Sequence, residues 1–201
     1  MEINVFRRST RSLMAALLLS ALLITSWPAL CQGIYPGPEK IKATVEDAIS
    51  NTKEFVDEKK GFKITYPASW QFDRIEEGPL SMRFKIFNGL VSGRVAVDDL
   101  PEEMSLEQYC QATQQQVEAT MSANGMPVKV IEVTDGKFAN ATTRNYSYSY
   151  PISGTDARAR ALQILAVKGK HGYVFNYTAE EKLYDDFLGV MTKIVGTIEL
   201  L

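Results

Sequence analysis

From Phe55 onward, apolar and polar positions alternate with the period of strands, and two stretches switch to the longer period of helices. Phe55-Val56 and Phe62 to Tyr66 flank a charged turn, Asp57 to Gly61; Pro67 ends the second strand and Trp70 follows. Met82, Phe84 and Ile86 alternate with Arg83 and Lys85, and Asn88-Gly89 predicts a two-residue type I′ turn into a return strand over 90–97. Ser105 and Gln108 have the spacing of a capping box. The helix they open gathers Leu106, Tyr109, Cys110, Thr113, Val117, Thr120 and Met121 on one face, and Asn124-Gly125 with Pro127 end it. Four strands follow, over 128–134, 138–150, 157–167 and 173–177, with hairpin turns expected at Asp135-Gly136, Ser153-Gly154 and 168–172. Thr178 with Glu181 reads as a second capping box, for a helix with Leu183, Phe187, Met191 and Ile194 on its core face; a short strand, Thr197 to Leu200, closes the chain. This order predicts an α+β domain over 55–201, an antiparallel central sheet covered by helices.

Upstream, Gly33, Pro36, Gly37 and Pro38 mark a leader over 32–54, in which Ile41, Val45, Ala48, Ile49 and Thr52 predict a short amphipathic helix at 40–53. Its stripe either docks on the domain or is offered to a partner. Arg7, Arg8 and Arg11 precede an apolar run from Leu13 to Ile24, and Ala29-Leu30-Cys31 supplies a small-x-small cleavage pattern. The run is too short to cross a hydrocarbon core of about 30 Å, so residues 1–31 read as a cleaved export signal. No later run is long enough to span. Lipid attachment at Cys31 is the alternative, against which Pro28 and Leu30 stand in the wrong order. Arg7-Arg8 alone is weak evidence of twin-arginine export.

Three stretches together resemble the PsbP-like superfamily: Gly61 to Pro67 leading to Trp70, Val95-Ala96-Val97 running through Pro101 to Ser105-Leu106-Glu107-Gln108-Tyr109, and Tyr173 to Tyr177 followed by the last helix and strand. The resemblance covers about 55–201 and implies an α/β/α sandwich. It also implies a non-enzymatic accessory or assembly role, exercised by docking on another protein. The superfamily includes a lumenal photosystem II subunit, a Ran-binding regulator and bacterial envelope proteins resembling DcrB. Residues 32–54 do not match the long N-terminal extension of the photosynthetic branch, in which histidines have been tied to metal handling; this chain has only His171.

Composition changes this picture little. A formal charge of −2 gives no long-range attraction for nucleic acid. After signal removal Cys110 is the remaining cysteine, expected as a buried, inert thiol. His171 lies in a polar turn, without the partners of a serine triad or a zinc site. Asp98-Asp99 and Glu102-Glu103 flank Pro101 without calcium-loop spacing and read as a solvated acidic loop. Asn140, Asn145 and Asn176 open N-x-Ser/Thr triplets, which matter only on a eukaryotic secretory route.

No catalytic, cofactor or metal residues emerge. One surface does: Arg144, Tyr146, Tyr148 and Tyr150 share a strand face, and Arg158 and Arg160 on the next strand reach them if the register permits. This is either a Tyr/Arg recognition patch or cross-strand packing under a helix. The expected protein is therefore exported (periplasmic, secreted or thylakoid-lumenal), monomeric and without a cofactor, docking on an envelope or membrane protein complex. Two alternatives stand beside it. One is a photosystem II oxygen-evolving-complex subunit, if the source is photosynthetic. The other is a carrier of a small hydrophobic ligand held between the sheet and the 105–123 helix.

Overall fold

The computed structural model describes residues 35–201; the expected export signal over 1–31, Cys31 and the first leader residues lie outside them. Helix α1 (Pro38–Ser50) opens on proline, whose missing N–H costs nothing in a first turn. It packs on the C-terminal helix through half-buried Ile41 and Val45 and buried Ala48. Ile49, expected on that stripe, is instead 44% exposed. Strand β1 (Thr52–Asp57) pairs antiparallel with β2 (Phe62–Pro67).

Strands β3 (Gln71–Arg74), β4 (Leu80–Ile86) and β5 (Val91–Asp99) lead to helix α2 (Leu106–Ala123). Strands β6 (Lys129–Lys137), β7 (Thr142–Pro151), β8 (Arg158–Lys168) and β9 (His171–Glu180) then run as a meander into helix α3 (Glu181–Gly196) and the short β10 (Glu199–Leu200). Two antiparallel sheets result: a large one in the order β3-β4-β5-β9-β8-β7-β6 and a small one, β1-β2-β10. Alternation along the central strands separates two cores. Val91, Val95, Phe175, Tyr177 and Ile164 face α3, α1 and the small sheet, where Phe84, Trp70 and Phe187 meet ring against ring. Ala96, Val174, Ala161, Leu165 and Tyr148 face α2.

The Ser105 cap is formed as expected: its Oγ accepts from the Gln108 amide at 3.2 Å, and Gln108 Oε1 accepts from the Ser105 amide at 2.9 Å. Three local signals are overridden by tertiary structure. Ile86 pairs with Val91, so the β4–β5 connection is four residues long rather than a two-residue turn. Phe87, Asn88 and Gly89 all adopt positive φ (51°, 54° and 92°). A left-handed Phe87 costs about 1 kcal/mol, against which its ring packs edge-on to Phe187 with centroids 5.9 Å apart.

Asp135-Gly136 is not a turn but ladder, opposite Arg144 and Thr143. The chain reverses over 138–141 instead, where Phe138 is buried and Ala139 N–H donates to Ile198 O at 2.8 Å. The second capping box is absent as well. Thr178 lies inside β9, opposite Ser92 and Ala161, so α3 starts only after Glu180. A strand bonded on both sides outweighs one cap worth about 1 kcal/mol.

Candidate interaction surface

Register decides what the six tyrosine and arginine candidates can do. Tyr146, Tyr148 and Tyr150 stand opposite Gln163, Ala161 and Ala159, all on the α2 face. The three tyrosines are 9%, 0% and 1% exposed. Arg158 and Arg160 stand opposite Pro151 and Ser149 and project from the other face. The six therefore form no common surface, because the pairing places these two arginines out of step with the tyrosines by one residue.

Each candidate is held by its own surroundings. Tyr146 and Tyr148 stack with centroids 6.2 Å apart, and Tyr148 Oη hydrogen-bonds to Gln114 Oε1 and lies 3.1 Å from Gln163 Oε1. Burial pushes the Tyr150 phenol up to about 12. Arg144 pairs with Asp135 at 2.5 Å across the β6–β7 ladder. Arg158 Nε donates to Ser149 Oγ at 3.0 Å. Arg160 donates to Asp185 at 3.0 Å, and its guanidinium lies 4.0 Å from the centroid of the Tyr184 ring, tying β8 to α3.

The sheet face beneath α2 is rich in polar groups. Ser92, Arg94, Asp98, Gln163, Asn176 and Thr178 are all buried on it. Burial holds the Arg94 guanidinium down to about 10, with partial relief from Tyr150. Tyr109 crosses from α2 to donate to Asp98 Oδ2 at 2.7 Å; burial, then the adjacent carboxylate, raise its phenol well above the usual range, so it remains a donor. Its ring lies on the bare Cα of Gly172, where a Cβ would come within 2.4 Å of it. The space between sheet and α2, where the carrier alternative places its ligand, is filled by Tyr109, Val117, Met121, Tyr148 and Leu165.

The other sequence candidates are dispersed. Asp98 belongs to this buried network, whereas Asp99 is exposed, with His171 Nδ1 at 3.2 Å. Cys110 is buried and its thiol is pushed up by that burial. Asn176 is 1% exposed in the middle of β9, and Asn140 clamps Leu200, its amide N–H donating to Leu200 O at 2.8 Å while its Oδ1 accepts from the Leu200 amide at 2.9 Å. Among the described residues no three His, Cys, Asp or Glu side chains converge as metal ligands, and no helix is long and apolar enough to cross a membrane.

A cleft of about 470 Å³ between the 76–79 loop and the end of β5 carries charges of both signs. Lys60 closes one side of it, its Nζ donating to the carbonyls of Gly78, Pro79 and Leu80 at 2.6, 3.2 and 3.3 Å. Exposed apolar surface collects elsewhere, on β6, where Val130, Ile131 and Val133 are 40%, 49% and 47% exposed. In the sequence this strand carries no signal of a site; only its place at the end of the sheet exposes it.

A helix-clad antiparallel sheet with a polar layer buried beneath α2, and with three exposed apolar side chains on its β6 edge, defines an α+β sandwich of the PsbP-like class. The chain belongs to the PsbP family, which it matches over residues 50–199. No curated protein sequence matches it. Its fold is similar to the solution structure of cyanobacterial PsbP (CyanoP) from Synechocystis sp. PCC 6803, with a TM-score of 0.60 and 11% identity over 85% of this chain and 99% of that one. It is also similar to the Saccharomyces cerevisiae Ran-binding protein Mog1p, with a TM-score of 0.50 and 11% identity over 75% of this chain and 95% of that one.

Proposed function

We propose that this chain is an exported, non-enzymatic accessory protein that docks on a protein complex in a membrane or cell envelope. The observation that carries this reading is the PsbP family match over 50–199, on a chain whose first residues have the pattern of an export signal. Two features support it. Cys110 and the three β7 tyrosines singled out in the sequence are buried in packing, and the fold is similar to that of a protein described as Ran-binding. Cross-linking of the tagged chain in intact membranes of its source, followed by mass spectrometry, tests it. The expected result is one membrane protein complex recovered reproducibly; a chain that elutes alone from cross-linked membranes would count against docking.

The similarity to cyanobacterial PsbP favours a specific second reading, a photosystem II lumenal subunit. It applies only in a photosynthetic source, and there the cross-linked complex would contain photosystem II subunits. In either case the mature chain works outside the cytoplasm. Appearance of a tagged chain in the cytoplasmic fraction at full length would oppose that placement.

A further inference from the structure

We propose that the outer edge of β6 is the docking site, and that it takes an extended segment of the partner protein as an eighth strand of the large sheet. This deepens the docking reading above and rests on it. Among the described residues the large sheet ends on β3 and β6, and these two edges are built differently. β3 is four residues long and its two outermost residues, Gln71 and Arg74, are polar. β6 is nine residues long and, among the described residues, pairs only with β7. Its outward N–H and C=O groups are thus free to bond a strand, which is the chemistry of strand addition.

Side chains along the edge define what that strand must offer. Val130 and Val133 stand opposite Tyr148 and Tyr146 and so lie on the α2 side of the sheet, at its rim. All three of Val130, Ile131 and Val133 remain 40–49% exposed, and an added strand would cover them. The register shift between Val130 and Glu132 sets Ile131 apart at a bulge, after which the ladder is regular from Glu132 to Lys137. Asp135 is already engaged by Arg144, whereas Lys129 and Lys137, at the two ends, have no ion pair among the described residues. The complementary segment is therefore apolar at alternate positions in its middle and acidic at both ends. A second copy of this chain fits poorly, since its own β6 offers lysine rather than a carboxylate at both ends.

Two synthetic nine-residue peptides on the purified chain provide the test, one reading Glu-Val-Thr-Val-Thr-Val-Thr-Val-Glu and one with lysine at both ends instead. Backbone amide exchange is followed by NMR. The glutamate-ended peptide is expected to slow amides within 129–137 by at least about tenfold, the lysine-ended one clearly less, and Val133→Lys is expected to abolish the effect. Slowing elsewhere or nowhere, equal slowing by both peptides, or slowing that appears without peptide as the chain is concentrated would overturn the inference. The peptide comparison uses the unmodified chain and stands even if the variant folds poorly. Membrane cross-linking separates the two readings. An unchanged cross-linked complex with folded Val133→Lys would remove the β6 edge but keep docking, whereas no complex with either chain would remove docking itself.

Discussion

Tyr109→Phe isolates one oxygen atom in the polar layer beneath α2. In the structure that oxygen donates at 2.7 Å to Asp98, which is 2% exposed, while the tyrosine itself is wholly buried. The ring keeps its place on Gly172, so the substitution opens almost no cavity. What is lost is a buried hydrogen bond to a carboxylate, worth about 1.5–3 kcal/mol. For a chain of this size, at about 2–4 °C per kcal/mol, that lowers the melting temperature by about 3–12 °C. Thermal melts and urea unfolding followed by circular dichroism measure it. The same substitution in an Asp98→Asn background should cost about half as much, because the acceptor is then neutral. A Tyr109→Phe protein within about 0.5 kcal/mol of wild type, or a cost undiminished in the Asp98→Asn background, would refute the reasoning.

Other contacts in the fold carry expected outcomes of their own. Gly172→Ala places a methyl group 2.4 Å from the Tyr109 ring and should destabilise by about 1–3 kcal/mol; chemical denaturation checks it, and Tyr109→Ala beside it should recover part of the loss. Asn140→Ala removes both side-chain bonds to Leu200 and should release β10, read as faster exchange of the Leu200 amide while the amides of β9 stay protected. Stability should fall steeply in alkali. Burial raises the phenols of Tyr109, Tyr148, Tyr150 and Tyr177 in the folded state, so above about pH 10 the unfolded chain releases protons that the folded chain keeps, and each contributes a loss of up to about 1.4 kcal/mol per pH unit until its folded pKa is passed. Arg94, held down to about 10, acts in the opposite direction over the same window but is one group against these four. Urea unfolding across that range, with phenolate absorbance as the second signal, tests the sign.

Helix faces were legible because their period is local. Leu183, Phe187, Met191 and Ile194 are buried in α3, and Tyr109, Cys110, Thr113, Val117 and Met121 in α2, as the spacing of apolar positions required. The Ser105 cap was legible for the same reason, since both of its partners lie within three residues. The hairpin order of β6 to β9 followed from short connections between alternating segments, and with it the antiparallel sheet. All of these are properties of neighbouring residues, and a linear sequence states such properties directly.

Pairing between distant segments was decided only in three dimensions. Whether Tyr146, Tyr148 and Tyr150 share a face with Arg158 and Arg160 depends on one residue of register between β7 and β8, to which the turn composition is blind. The Thr178 cap and the Asp135-Gly136 turn gave way for the same reason: hydrogen bonds to β5, β8 and β7 outweigh a local preference of about 1 kcal/mol. The β6 edge became a candidate only when the fold placed that strand last in its sheet. An edge is a relation to the strands beside it, and no residue of β6 encodes that alone.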